Sequence, residues 1–578
     1  MLKTAAIFGN GMILQQRSIV AVFGETDCDF VEAKWENSDS TYEADIHDGK
    51  WLIKLHTEEA TPIPSKEQID SKNQIDSEEN GGSAFEEKDE SEVRTYTLVI
   101  TGKKNGKETD RVTFSDIIFG EVWFAGGQSN MELELKDSFK GEEVANSNDY
   151  DYIRFYNVPK CPVIDEELYR CEAESSWQKA KGEPSRYMSA VGFYFARKLQ
   201  KSLGVPVGII DCYWGGTSAT CWMTKEKTED IAQVKEYIEE WDEVCRSKSD
   251  EVFDKEMADY QASADDWVAR LEELRKKDPN ADWDVINEVV GPYPWPLPRG
   301  RKSPFRPFGL HETMVKRVAP YTVKGFIYYQ GEEDCVRASI YSKLNAKVIE
   351  QWREDFALPD SVVEASEKPF YLTQLPAYKG GEENSDSCWI DIREQQAICA
   401  ATTPETGIAV IIDSGEQENI HPLDKKTPGY RLAEQALLNT YKSEDGVKNC
   451  VLKEAKFEGD ECELIFEGTY GALCYRETDG KKLTADGENV LLVRAIDSNN
   501  RIKDGTVLGF EISSDGENYY APEIFLKKDR EDRLILKAGG KLAGKDISDV
   551  RYGWINYGVV NMYNKAGVPL MPFRKKKV

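Results

Sequence analysis

Five apolar runs constrain the fold of this chain most: Val122 to Ala125, Val207 to Ile210, Gly325 to Tyr329, Phe370 to Gln374 and Ile408 to Ile412. Each has the length of a strand, and helical stretches separate them. That is the pattern of a parallel sheet covered on both faces. Tyr187 to Leu203 reads as one covering helix, with Val191, Tyr194, Phe195, Lys198 and Leu199 spaced to lie on the sheet. The fold class read from this pattern is α/β, over residues 116–442.

A chain of 578 residues is too long for one core, and its two ends have a different texture. Residues 1–115 read as β, with short runs at Ile19 to Phe23, Trp51 to Leu55 and Tyr96 to Thr101 that suggest a sandwich. Within them, residues 57–92 are polar and acidic and repeat Gln-Ile-Asp-Ser, which reads as a surface hairpin extension or a mobile loop. The β texture returns over 443–578, in Cys462 to Phe466, Val490 to Ala495, Gly509 to Ser513 and Leu534 to Lys537. The basic end, Arg574 to Lys577, reads as a solvated tail. Residues 224–290 form a charged helical insertion with Val234, Ile238, Trp241 and Val244 at helical steps, a hairpin packed on one face or a coiled coil. Gly291 to Pro307 follows, with six prolines beside Trp295, Arg299 and Arg301. It reads as a plain linker or as a rigid aromatic loop lining a sugar site.

A formal net charge of −30 argues against nucleic acid and anionic membrane as partners. Twelve cysteines without Cys-x-x-Cys spacing, and no secretory segment in Met1 to Gln15, lead us to expect a reduced, cytoplasmic protein. With only four histidines, no metal site and no cofactor are expected. Oligomeric state is not legible.

The chemistry-bearing stretch is Gly126-Gly127-Gln128-Ser129-Asn130-Met131, directly after the first run. A serine on a strand-to-helix turn is either an ordinary helix cap or an exposed nucleophile whose own N–H faces the group it attacks. The second reading needs a base. Of the four histidines, His421 alone sits in a loop after a predicted sheet strand, where α/β sites gather. Glycine turns at Trp214-Gly215-Gly216-Thr217 and Gln330-Gly331-Glu332 also follow strands and could supply donors to an oxyanion. Glu332 reads as structural, a tie between neighbouring loops.

Those blocks, with Ile420-His421-Pro422, Gly11 to Gln15, Gln374-Leu375-Pro376, Ile392 to Gln396 and Met562 to Pro569, resemble the sialate O-acetylesterase family, a branch of the SGNH hydrolases. The resemblance runs over nearly the whole chain. It implies a flavodoxin-like three-layer α/β/α domain combined with β-sandwich modules, and cofactor-free hydrolysis of O-acetyl esters on carbohydrates. The substrate class it implies is O-acetylated sialic acid or acetylated xylo- or manno-oligosaccharide. Ser129 corresponds to the nucleophile and His421 to the base. The N–H groups of Ser129 and of Gly215 or Gly216, together with Gln330, correspond to the oxyanion hole. The acid that orients His421 stays open between Glu418, three residues before it, Asp413, and no acid at all.

Overall fold

A single strand of 21 residues, β1 (Lys107–Gly127), ties the chain together. The computed structural model describes residues 1–64, 93–146, 152–278, 281, 283–358, 367–379, 388–477 and 490–577. The first half of β1 is polar and pairs antiparallel with Tyr96–Lys104. Its second half is buried and runs parallel to its neighbours. The domain boundary expected after residue 115 falls within this strand.

Five further strands complete the parallel array: β2 (Ile153–Asn157), β3 (Val207–Tyr213), β4 (Gly325–Tyr329), β5 (Phe370–Thr373) and β6 (Thr406–Ala409). Their order is β2-β3-β1-β4-β5-β6, with Gln178–Lys179 antiparallel on the outer side of β2. From β1 the chain goes to the outer strand β2, returns to β3 beside β1, and then crosses to β4 on the other side of β1, so the carboxyl end of β1 borders a crevice where such sheets bind ligands. Successive residues of β1 face opposite sides. Trp123 meets Phe195 of α1 (Ala190–Leu203) at 5.1 Å, and Phe124 meets Trp352 of α3 (Ala338–Asp355) at 5.0 Å. Helices therefore cover both faces, as the apolar runs predict. The α1 helix starts three residues later than expected because Ser189 caps it, accepting from the Gly192 N–H, and left-handed Gly204 ends it.

The charged insertion is helical: α2 (Ala232–Ser247) is followed by helices Asp250–Lys277 and Trp283–Val289. Val234, Ile238 and Trp241 are buried. At the amino end, Leu2–Thr4, Ile19–Thr26, Lys50–His56 and Asp45–His47 form one antiparallel sheet. Residues 65–92 of the acidic insertion lie outside the described residues. At the carboxyl end, three antiparallel groups, around Glu461–Glu467, Leu473–Tyr475 and Asp549–Tyr552, enclose a core that also takes in Ala377, Val410 and Ile412. The basic end is not a loose tail: Phe573–Lys576 is a strand paired with Asp549–Tyr552, its charged side chains exposed on the sheet edge. All twelve cysteines are unpaired thiols. Among the described residues no helix is long and apolar enough to cross a membrane, and no cluster of His, Cys, Asp or Glu side chains is arranged to hold a metal ion.

Candidate active site

Ser129 is the first residue of a one-turn helix, Ser129–Glu132, that leaves the carboxyl end of β1. The turn before it requires glycine. Gly127 has φ +141°, and a Cβ there would lie 2.1 Å from the Tyr329 carbonyl of β4. The Ser129 N–H is at a helix start, where backbone donors have no intrahelical acceptor. It donates to no acceptor among the described residues.

The Ser129 Oγ is 2.8 Å from Nε2 of His421. His421 stands on the loop after β6 and the short turn Ile412–Ser414. Asn419 fixes that loop: its Oδ1 accepts the His421 N–H at 2.9 Å, and its Nδ2 donates to the His421 carbonyl at 2.8 Å and to Glu416 at 3.0 Å. Glu416 in turn accepts the Leu423 N–H. The residue after the serine joins the two halves. Asn130 Nδ2 donates to the Ile420 carbonyl at 2.9 Å and to Glu332 at 2.6 Å, while its Oδ1 accepts from Lys425 Nζ at 2.6 Å. Lys425 Nζ also donates to the Pro422 carbonyl at 2.7 Å.

Asn130, Glu332 and Lys425 are buried at this junction and Ser129 and His421 are half-buried, and the loss of solvent sets its charge states. The His421 imidazole is pushed down to about 4, chiefly by burial and then by the Lys425 ammonium, so at neutral pH it is uncharged. Burial pushes Lys425 down to about 8, against the attraction of Glu332. Burial also pushes Glu332 up to about 6, against its bond from Asn130. Ser129 and His421 are the sequence-predicted residues that the fold brings together. Asn130 and Lys425 escaped the sequence reading. Their signals were the adjacency of one to Ser129 and the placing of the other four residues past His421.

Three expectations are corrected. Glu418 does not meet His421: its carboxylate faces solvent and accepts from Lys379 at 3.2 Å and Gln417 at 2.9 Å. Asp413 is fully buried between Arg431 and Arg476, whose guanidinium groups occupy both of its oxygens and keep its carboxyl below the usual carboxylate range against the effect of burial. Neither carboxylate is bonded to His421, and His421 Nδ1 has no hydrogen-bond partner among the described residues. Gln330 is spent on the scaffold. Its Nε2 donates to the Thr217 carbonyl at 3.1 Å and to Asp334 at 2.8 Å, and its Oε1 accepts from Tyr341 at 2.7 Å.

The Trp214–Thr217 turn lies against the serine, since a Cβ on Gly215 would come within 3.3 Å of the Ser129 Cβ. The Gly215 N–H is already taken by the Glu132 carboxylate, which also pairs with Lys160. The Gly216 N–H donates to no acceptor among the described residues. Beyond Gly216 opens a cavity of about 150 Å³, and Trp295 and Arg299 line it. Arg301 does not. It points to the outer helix Asp250–Lys277, pairing with Asp250 at 3.2 Å.

A serine bonded to a neutral histidine at the carboxyl edge of a parallel sheet is an arrangement that serine hydrolases use. No protein-family model matches the chain. In structure it is similar to a carbohydrate acetylesterase from Xanthomonas citri, with a TM-score of 0.67, 23% sequence identity and 100% of both chains covered. In sequence it is similar to the sialate O-acetylesterases of Mus musculus (26% identical over 333 residues, 55% of this chain and 56% of that one) and Homo sapiens (24% over 333 residues, 55% and 53%). That of Rattus norvegicus is 25% identical over 343 residues, 56% of this chain and 58% of that one. The chain thus spans about half the length of the curated relatives it matches.

Proposed function

We propose that this protein is a serine esterase that removes O-acetyl groups from carbohydrates. The observation that carries the reading is the 2.8 Å bond from Ser129 to an imidazole kept neutral by its surroundings. His421 Nε2 takes the Ser129 proton as Oγ attacks the acetyl carbonyl. The oxyanion that forms accepts from the N–H groups of Ser129 and Gly216. When the intermediate collapses, the bond to the sugar oxygen breaks and His421 returns the proton to that oxygen. Water then repeats the sequence on the acetylated serine and releases acetate. His421 works without an acid on Nδ1, so Ser129 and His421 act as a dyad.

The same reading assigns the parallel sheet and its helices, over 116–442, to an SGNH-type three-layer domain, with the β regions at 1–115 and 443–578 as sandwich modules. The substrate class, an acetylated hemicellulose oligosaccharide or an O-acetylated sialic acid, follows from the similarity to sugar acetylesterases together with the aromatic cavity beside Gly216. The test is acetate release from acetylated xylo-oligosaccharides, acetylated manno-oligosaccharides and O-acetylated sialic acid. Release from one of these classes is expected, and release from none of them would contradict the reading.

A further inference from the structure

The cavity beside Gly216 plays no part in the steps above, yet it adjoins the turn that would hold the oxyanion. Trp295 makes the junction: a Cβ on Gly216 would lie 2.0 Å from its ring, so the indole rests on the bare backbone there. The residue as a whole is 53% exposed. Tyr237 and Trp241, both on α2, and Phe305 are buried and build the remaining apolar wall, with Phe305 5.4 Å from Trp295. Two charged side chains complete the lining, Arg299, which lies over the Trp241 ring at 5.4 Å, and Glu333.

A volume of about 150 Å³ accommodates one six-membered ring. The open aromatic face suits the C–H side of a pyranose, and the carboxyl and guanidinium suit its hydroxyls. The cation of the lining, Arg299, acts on Glu333, so it is not an unopposed charge for a carboxylate ligand. Glu333, which accepts no hydrogen bond from any described residue, also stands next to a second carboxylate, Asp334. Asp334 is itself paired with Arg337 at 3.3 Å, so a sugar carboxylate would have to compete with Glu333 for Arg299.

We infer that this cavity is the subsite for a neutral pyranose ring of the acetylated substrate, with Trp295 as its stacking face and Glu333 and Arg299 as its hydroxyl partners. The inference rests on the esterase reading and narrows its substrate to sugars without a carboxylate. Burial, with Asp334 beside it, pushes Glu333 up to about 7, so near neutral pH its carboxyl can both donate to and accept from a hydroxyl.

The experiment compares kcat/KM on an acetylated xylo- or manno-oligosaccharide with kcat/KM on 4-nitrophenyl acetate, in wild type, Trp295→Ala, Trp295→Phe and Glu333→Gln. The ratio is expected to fall at least about tenfold in Trp295→Ala and to recover most of that loss in Trp295→Phe, as stacking requires. Glu333→Gln is expected to raise KM for the sugar ester. A general folding defect would lower both activities together and leave the ratio in place. Wild type is expected to prefer these neutral esters to O-acetylated sialic acid. An unchanged ratio in Trp295→Ala, or a preference for the sialic acid ester, would overturn the inference while leaving the esterase reading standing. Hydrolysis of 4-nitrophenyl acetate without release from any sugar ester would overturn the carbohydrate reading, and the inference with it.

Discussion

At the scale of single residues, His421 differs from an ordinary histidine in two ways: its half-buried ring is poorly solvated, and an ammonium rather than a carboxylate is its charged neighbour. Both disfavour the imidazolium, so the base stays unprotonated well into acid. The acid limb of kcat/KM is therefore expected near pH 4 rather than near the ordinary 6.5, which a pH–rate profile on an activated acetate ester would reveal. The same shift bears on stability. Between those two values the unfolded chain binds a proton that the folded one does not, so His421 lowers stability as pH falls from about 6.5 towards 4. Glu418→Gln is expected to leave kcat/KM unchanged, because that carboxylate meets only Lys379 and Gln417. Asp413→Asn should instead cost about 3–5 kcal/mol in denaturant unfolding, since it strips a buried partner from Arg431 and Arg476. Sequence spacing could rank these two acids only by distance along the chain. It could not reveal that two guanidinium groups from remote segments had already claimed one of them.

At the scale of elements, the site is the ends of four strands and the loops that leave them, with Asn130 and Lys425 joining the serine turn to the histidine loop. Strand, glycine turn and serine were legible because Gly127 must be glycine where Tyr329 crosses it. The amide of Gln330 was not, because its partners, Thr217, Asp334 and Tyr341, come from three different elements. Lys425 carries the clearest prediction at this scale. Lys425→Met removes the ties to Asn130 and Pro422 and the charge beside His421. It is expected to lower kcat with little change in KM and to move the acid limb of the pH profile upward, towards 6.5. A loss of stability with an unmoved limb would mean that Lys425 only supports the loop. Gly127→Ala is expected to destabilise the protein by about 1–3 kcal/mol, because the chain there is both left-handed and crowded.

For the whole molecule, the decisive feature is that β1 belongs to two sheets at once. Its change from polar alternation to an apolar run is visible in the sequence and suggests a domain boundary there. The backbone instead continues straight through, since a strand can exchange its pairing partners without a break. The carboxyl-terminal core likewise closes over Ala377, Val410 and Ile412 from the region of the parallel sheet. A fragment cut to residues 116–442 is therefore expected to lack the cooperative unfolding transition expected of the whole chain. The central claim, that a Ser129–His421 dyad releases acetate from sugars, is tested most directly by measuring acetate release from the best acetylated oligosaccharide in wild type, Ser129→Ala and His421→Ala. Loss by roughly a thousandfold or more in both variants, with folding intact by circular dichroism, is the expected result. Retention of wild-type release in a folded Ser129→Ala variant would contradict it.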